Sequence, residues 1–93
     1  PLQWAASEGH GDTVELLINA KAVVNAKDNE DLTSLHFAAW EGRTDMVHKL
    51  IDANATIDAK GIDGLTPLHS ASWKGHSDAL QVLLAFFADK SQK

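Results

Sequence analysis

The stretch TPLHSAS, Thr66 to Ser72, stands thirty-three residues after TSLHFAA, Thr33 to Ala39, and thirty-three residues before Ala38 stands Ala5 in PLQWAAS. A fixed period in this range marks a solenoid, in which each unit is too small to bury its own apolar face and stacks on its neighbours. Aligned on that period, the chain divides into units 1–27, 28–60 and 61–93, the first without its opening turn. Units two and three share eleven identities over 33 positions, among them Leu32/Leu65, Thr33/Thr66, His36/His69, Ala38/Ala71, Trp40/Trp73, Gly42/Gly75 and Leu50/Leu83. Average composition gives about two. Units one and two agree at Leu2, Ala5, Ala6, Glu8, Gly9, Asp12, Val14, Leu17 and Ile18 with their partners thirty-three later.

Within a unit, Thr66 offers a side-chain acceptor to the free amides of a helix start, and Pro67 costs no hydrogen bond at the first helical position. Leu68, Ala71 and Ser72 fall on one stripe of a helix of barely two turns, which Gly75 stops. A second helix is expected to begin near Ser77 and Asp78 and to carry Leu80, Leu83 and Leu84 on one face; unit two matches with Thr44, Asp45, Val47, Leu50 and Ile51. The small residues Ala38, Ala39 and Ala71 let adjacent helices approach closely. Val23–Thr33 and Thr56–Thr66, rich in Asp, Asn and Gly, read as projecting turns.

Composition bounds the function. With 44% hydrophobic and 23% charged residues the chain lies away from the signature of disorder, and 93 residues allow a single domain with a modest core. Thirteen acidic against eight basic residues, a formal charge of −5, would repel phosphate backbones and anionic headgroups, so neither nucleic acid nor membrane is the expected partner. The longest aliphatic and aromatic run, Val82 to Ala88, is far short of the roughly 18 residues that span a bilayer. The absence of cysteine excludes disulfides and thiolate sites and favours a reducing, intracellular setting, cytoplasmic or nuclear. The chain opens on Pro1 without a leader, which suggests a fragment.

A 33-residue helix-turn-helix unit with TPLH at the first helix, glycine at the bend, a paired-aliphatic second helix and a VNAKD-like loop resembles the ankyrin repeat. TPLHSASWKGHSDALQVLL, Thr66 to Leu84, carries most of the likeness, which extends over the whole chain. The resemblance implies an all-α solenoid of stacked antiparallel helix pairs with projecting hairpin-like loops, working as a non-catalytic module for recognising another protein. The alternative is a structural or regulatory segment of a longer solenoid that packs on further repeats or associates with itself.

Several positions depart from the pattern. Lys21, Asn54 and Phe87 stand where glycine is usual after the second helix; Asn tolerates the left-handed conformation, whereas Lys and Phe would lose up to ~1 kcal/mol there. Asp31 replaces the loop glycine seen at Gly64, and Ser34 the proline seen at Pro67. Phe86 beside Phe87 suggests a final helix that frays, docks or closes the stack, in a monomer that this pair could bring into association.

Catalysis and cofactors find no support. The resemblance gives His36 and His69 a structural task, hydrogen bonding to Thr33, Thr66 and nearby backbone. Helices roughly 8 to 10 Å apart hold two imidazoles too far from one another for a shared zinc. His10 and His76 fall at the bends and His48 on the solvent side. No nucleophile elbow or phosphate loop occurs. Trp40 and Trp73, late in the first helix and beyond the Leu/Ala stripe, are expected near the inner surface, where rigid, partly exposed tryptophan is enriched in binding hot spots. Trp4 and Phe37, one position matched between units, are expected to pack between repeats.

By the resemblance the recognition surface combines Trp40 and Trp73 with Glu8, Glu41 and Lys74, and with Ser7 at the matching site of unit one. The loop tips add Asn29, Glu30, Leu32, Ile62, Asp63 and Leu65, with Lys27 and Lys60 at their bases. Leu32, Ile62 and Leu65 are apolar residues on loops and await cover. Asn25 lies in a context similar to asparagines hydroxylated in some ankyrin repeats.

Overall fold

A computed structural model describes residues 8–20 and 24–91, without the side chains of 88–91. Five α-helices are placed among these residues: α1 Gly11–Asn19, α2 Ser34–Trp40, α3 Thr44–Asp52, α4 Pro67–Trp73 and α5 Ser77–Ser91. A tight turn at Ile62–Gly64, with Asp63 and Gly64 at positive φ, precedes α4. The expectations at Trp4, Ser7 and Lys21 lie outside the described residues.

Each complete unit is a short helix turned back on a longer one, α2 on α3 and α4 on α5, and like helices lie side by side: α2 against α4, and α3 against both α1 and α5. The starts are those the hydroxyls dictate. Thr33 and Thr66 are extended, at φ −101°, ψ 172° and φ −107°, ψ 166°, and each forms a reciprocal cap with the histidine three residues on. The bends close on Gly42 and Gly75, at φ 68° and 72°. Gly42 is needed for a second reason: a Cβ there would meet His76 Nδ1 at 2.6 Å, because the side chain after each bend lies over the bend of the preceding unit.

The core is a set of equivalent positions. Leu35, Ala38, Ala39 and Ala71 are buried between the first helices, and Val14, Val47, Leu50, Ala79 and Leu83 between the second, with Met46 and Ile57 completing it. Like helices of successive units pack on one another, as a stack of repeats requires.

Two expectations are corrected. Leu84 does not share the buried face of Leu83; it is 50% exposed, whereas its unit-two counterpart Ile51 packs on the core. The difference is the neighbour: α3 lies between α1 and α5, whereas among the described residues no second helix follows α5 on its far side. The second concerns Phe87, which takes no left-handed turn because α5 continues through it to Ser91. Asn54 and Asp31 do adopt positive φ, 72° and 60°, conformations that Asn and Asp tolerate better than most side chains.

Candidate functional site

The loops of units two and three repeat one hydrogen-bond pattern. Asp28 N–H donates to the Leu32 carbonyl at 3.0 Å and Asp31 N–H to the Asp28 carbonyl at 3.0 Å; thirty-three residues later Gly61 N–H donates to Leu65 at 2.7 Å and Gly64 N–H to Gly61 at 3.1 Å. In unit two the turn is braced by Asp28 Oδ1, which accepts from the amides of Glu30 and Leu32, both at 2.9 Å. Unit three has glycine at that place for a steric reason, since a Cβ on Gly61 would come within 2.5 Å of Leu32 Cδ2. Leu32 is thus half-buried, covered by the following loop of its own chain.

Neighbouring loops are also tied together. Ile62 N–H donates to the Glu30 carbonyl at 2.8 Å, Lys27 Nζ to the Lys60 carbonyl at 3.2 Å, and Thr56 N–H to Asn25 Oδ1 at 2.7 Å. Asn25 therefore has a structural use while remaining exposed.

Behind the loops, α2 and α4 end on the paired indoles. The Trp40 and Trp73 ring centroids are 6.3 Å apart with planes tilted by 50°. Trp40 is half-buried and Trp73 76% exposed. Lys74 Nζ lies 5.1 Å from the centroid of the Trp40 ring, within the range of cation–π attraction. The indoles and the unit-three loop enclose an open groove of about 600 Å³, lined by Trp40, Ile62, Asp63, Gly64, Leu65, His69, Ser72 and Trp73.

Of the residues singled out in the sequence, the groove brings together Trp40, Trp73, Ile62, Asp63 and Leu65, with Lys74 at its edge. Asn29 and Glu30 are exposed on the neighbouring tip, and Glu8 and Glu41 are exposed at the ends of the first helices; none of these four lines it. His69 and Ser72 are added. The signal for them is the alignment itself: their counterparts His36 and Ala39 are buried beneath unit three, whereas His69 and Ser72 have no such cover.

His36 shows what the covered state entails. Its Nδ1 accepts from Thr33 N–H at 3.0 Å and meets Thr33 Oγ1 at 2.9 Å, and its Nε2 lies 2.8 Å from the Leu65 carbonyl oxygen. A carbonyl only accepts, so Nε2 carries the proton and the ring is neutral. Burial holds the imidazole below its ordinary value of 6.5, against the carbonyls of Leu65 and Ala59, which favour the charged form. His69 repeats the Thr66 contacts, with Nδ1 at 3.1 Å from the amide and 2.7 Å from Oγ1, and turns its other edge to the groove.

The second helices carry an exposed ion pair: Glu15 of α1 pairs with Lys49 of α3, and the carboxylate raises the affinity of that amine for its proton. Among the described residues no cluster of His, Asp or Glu is arranged to hold a metal ion, and no helix is long and apolar enough to cross a membrane.

No curated protein matches the chain. A family model described as ankyrin repeats, in three copies, matches residues 2–93. With the repeat, the all-helical stack and this match over nearly its full length, the chain belongs to the ankyrin-repeat family.

Proposed function

We propose that this chain recognises a protein partner through the groove at Trp40 and Trp73 and the adjoining loop tips, without catalysing a reaction on it. Ankyrin repeats are generally protein–protein interaction modules and typically not enzymes. The observation that carries the reading is the tryptophan pair, two indoles 6.3 Å apart beside an open groove, one of them three-quarters exposed. Indoles presented this way add large contact area at little conformational cost. Glu8, Glu41, Asn29 and Glu30, exposed and outside the groove, belong to the rim of this surface.

Affinity capture with this chain, followed by calorimetry on the partner so identified, tests it. Trp40→Ala and Trp73→Ala should each weaken binding by roughly tenfold or more while the helical signal and melting cooperativity persist. Unchanged affinity in the double variant rejects the groove.

A second reading is favoured by a different observation. Leu68, His69, Trp73, Leu80 and Leu84 are all more exposed than Leu35, His36, Trp40, Val47 and Ile51, their counterparts one unit earlier. This open end would take a further repeat or a second copy. Phe87 is exposed for that contact, whereas Phe86 is partly buried against the core, its ring centroid 5.9 Å from that of His48. Sedimentation that depends on concentration, and is suppressed by Leu84→Lys, would support this reading; a monomer at all concentrations would remove self-association.

A further inference from the structure

We infer that the groove between Trp40 and Trp73 takes a cationic side chain, arginine or lysine, from a basic extended segment of the partner; this rests on the groove being the recognition surface. The aromatic wall already holds one cation. Lys74 Nζ sits 5.1 Å from the Trp40 centroid, where the ring quadrupole attracts positive charge. Trp73 continues that wall, tilted by 50° to Trp40 and open to solvent.

Asp63 supplies the opposite charge. It stands at the loop tip with φ 58° and lines the same groove as the indoles. An indole face and a carboxylate on one cavity are matched to a guanidinium or ammonium, which satisfies both. An apolar occupant would instead strip water from the carboxylate and leave it without a partner. The neighbouring segments have the same sign: Glu30 and Asp31 are exposed on the unit-two loop and Glu41 at the end of α2, while the Lys27 ammonium is directed to the Lys60 carbonyl. A chain of net charge −5 draws a basic segment in and repels an acidic one. Lys74 is then a resident cation on the wall that the partner's cation also uses, and removing it exposes the Trp40 ring and eliminates a repulsion.

The indole N–H resonances of the whole chain report the test. The probes are a synthetic Gly/Ser decapeptide carrying three arginines and matched peptides carrying three leucines or three glutamates. The arginine peptide should shift the Trp40 and Trp73 signals saturably. Its affinity should fall about two- to fivefold in Asp63→Asn and in Trp73→Leu, and rise about two- to fivefold in Lys74→Gln, the ratios that one exposed ion pair or cation–π contact supports. Asn keeps the left-handed turn and Leu keeps apolar cover, and thermal melts of both variants verify folding. Leucine- or glutamate-peptide binding as tight as that of the arginine peptide overturns the cationic reading while leaving recognition at the groove intact. So does a Lys74→Gln variant that binds the arginine peptide no better than wild type, or an absence of shifts with any peptide. Recognition at the groove is judged separately, by the affinity of the captured partner for the double tryptophan variant.

Discussion

His36 Nε2 donates a hydrogen bond to the carbonyl oxygen of Leu65 at 2.8 Å, across twenty-nine residues of sequence, and thereby fastens the first helix of unit two to the loop of unit three. The same imidazole accepts from Thr33 N–H and so caps its own helix. His69 makes only the capping half of this arrangement among the bonds described. His36→Ala should therefore lower unfolding free energy by roughly 2–4 kcal/mol, since it leaves a buried amide and a carbonyl unsatisfied. His69→Ala should cost about 1 kcal/mol, the loss of an exposed cap. Urea denaturation of the two variants measures both, and equal losses would contradict the proposed division.

The neutral His36 makes stability depend on pH. Its folded-state pKa lies below the ordinary 6.5 because burial disfavours the cation. The unfolded chain therefore binds the extra proton first. The stability contributed by His36 is complete above 6.5 and is lost progressively as the pH falls from there toward the lowered folded value. Urea midpoints should drop between pH 7.5 and 5.5, and the drop should be smaller in His36→Asn. A midpoint that rises on acidification would reverse the sign and refute the assignment.

Gly42 and Gly75 share positive φ and differ in surroundings. A Cβ on Gly75 meets nothing within 4 Å, whereas one on Gly42 meets His76 at 2.6 Å. Gly75→Ala should lose about 1–2 kcal/mol through backbone strain alone. Gly42→Ala should lose about 1 kcal/mol more, for the displaced imidazole. Thermal melts of the pair isolate the packing contribution, and indistinguishable losses would show that His76 yields freely.

Ser34 occupies the first helical position that Pro67 fills one unit later, and Thr33 before it already has the extended backbone that proline demands of its predecessor. Ser34→Pro should stabilise the chain by about 0.4–1 kcal/mol, chiefly by restricting the unfolded state. A loss of stability would mean that the buried Ser34 side chain has a packing use that its counterpart lacks.

Local chemistry made the helix starts and bends legible. Thr66, Pro67 and Gly75 act through bonds within a few residues, and α4 begins and ends where they require. Leu84 departs from its periodicity because its burial depends on an element one repeat further on, and periodicity within α5 carries no information about that neighbour. Phe87 departs for a related reason: the penalty for a bulky residue in a left-handed turn vanishes when the helix does not turn. In the candidate site, the tryptophans and the unit-three tip were legible from the repeat register. That Leu32 nests over Gly61, and that His69 forms part of the groove wall, follow from contacts between units, which composition and spacing do not encode.

The link between neighbouring loop tips, from Ile62 N–H to the Glu30 carbonyl, is made entirely by main chain. Any side chain compatible with the turn preserves it. Asn29, Glu30 and Ile62 can thus be exchanged without loosening the scaffold, whereas Asp63 at φ 58° accepts only Asn or Gly without strain, so mutation can retarget this surface one position at a time while natural selection or a combinatorial library samples new specificities on an unchanged frame.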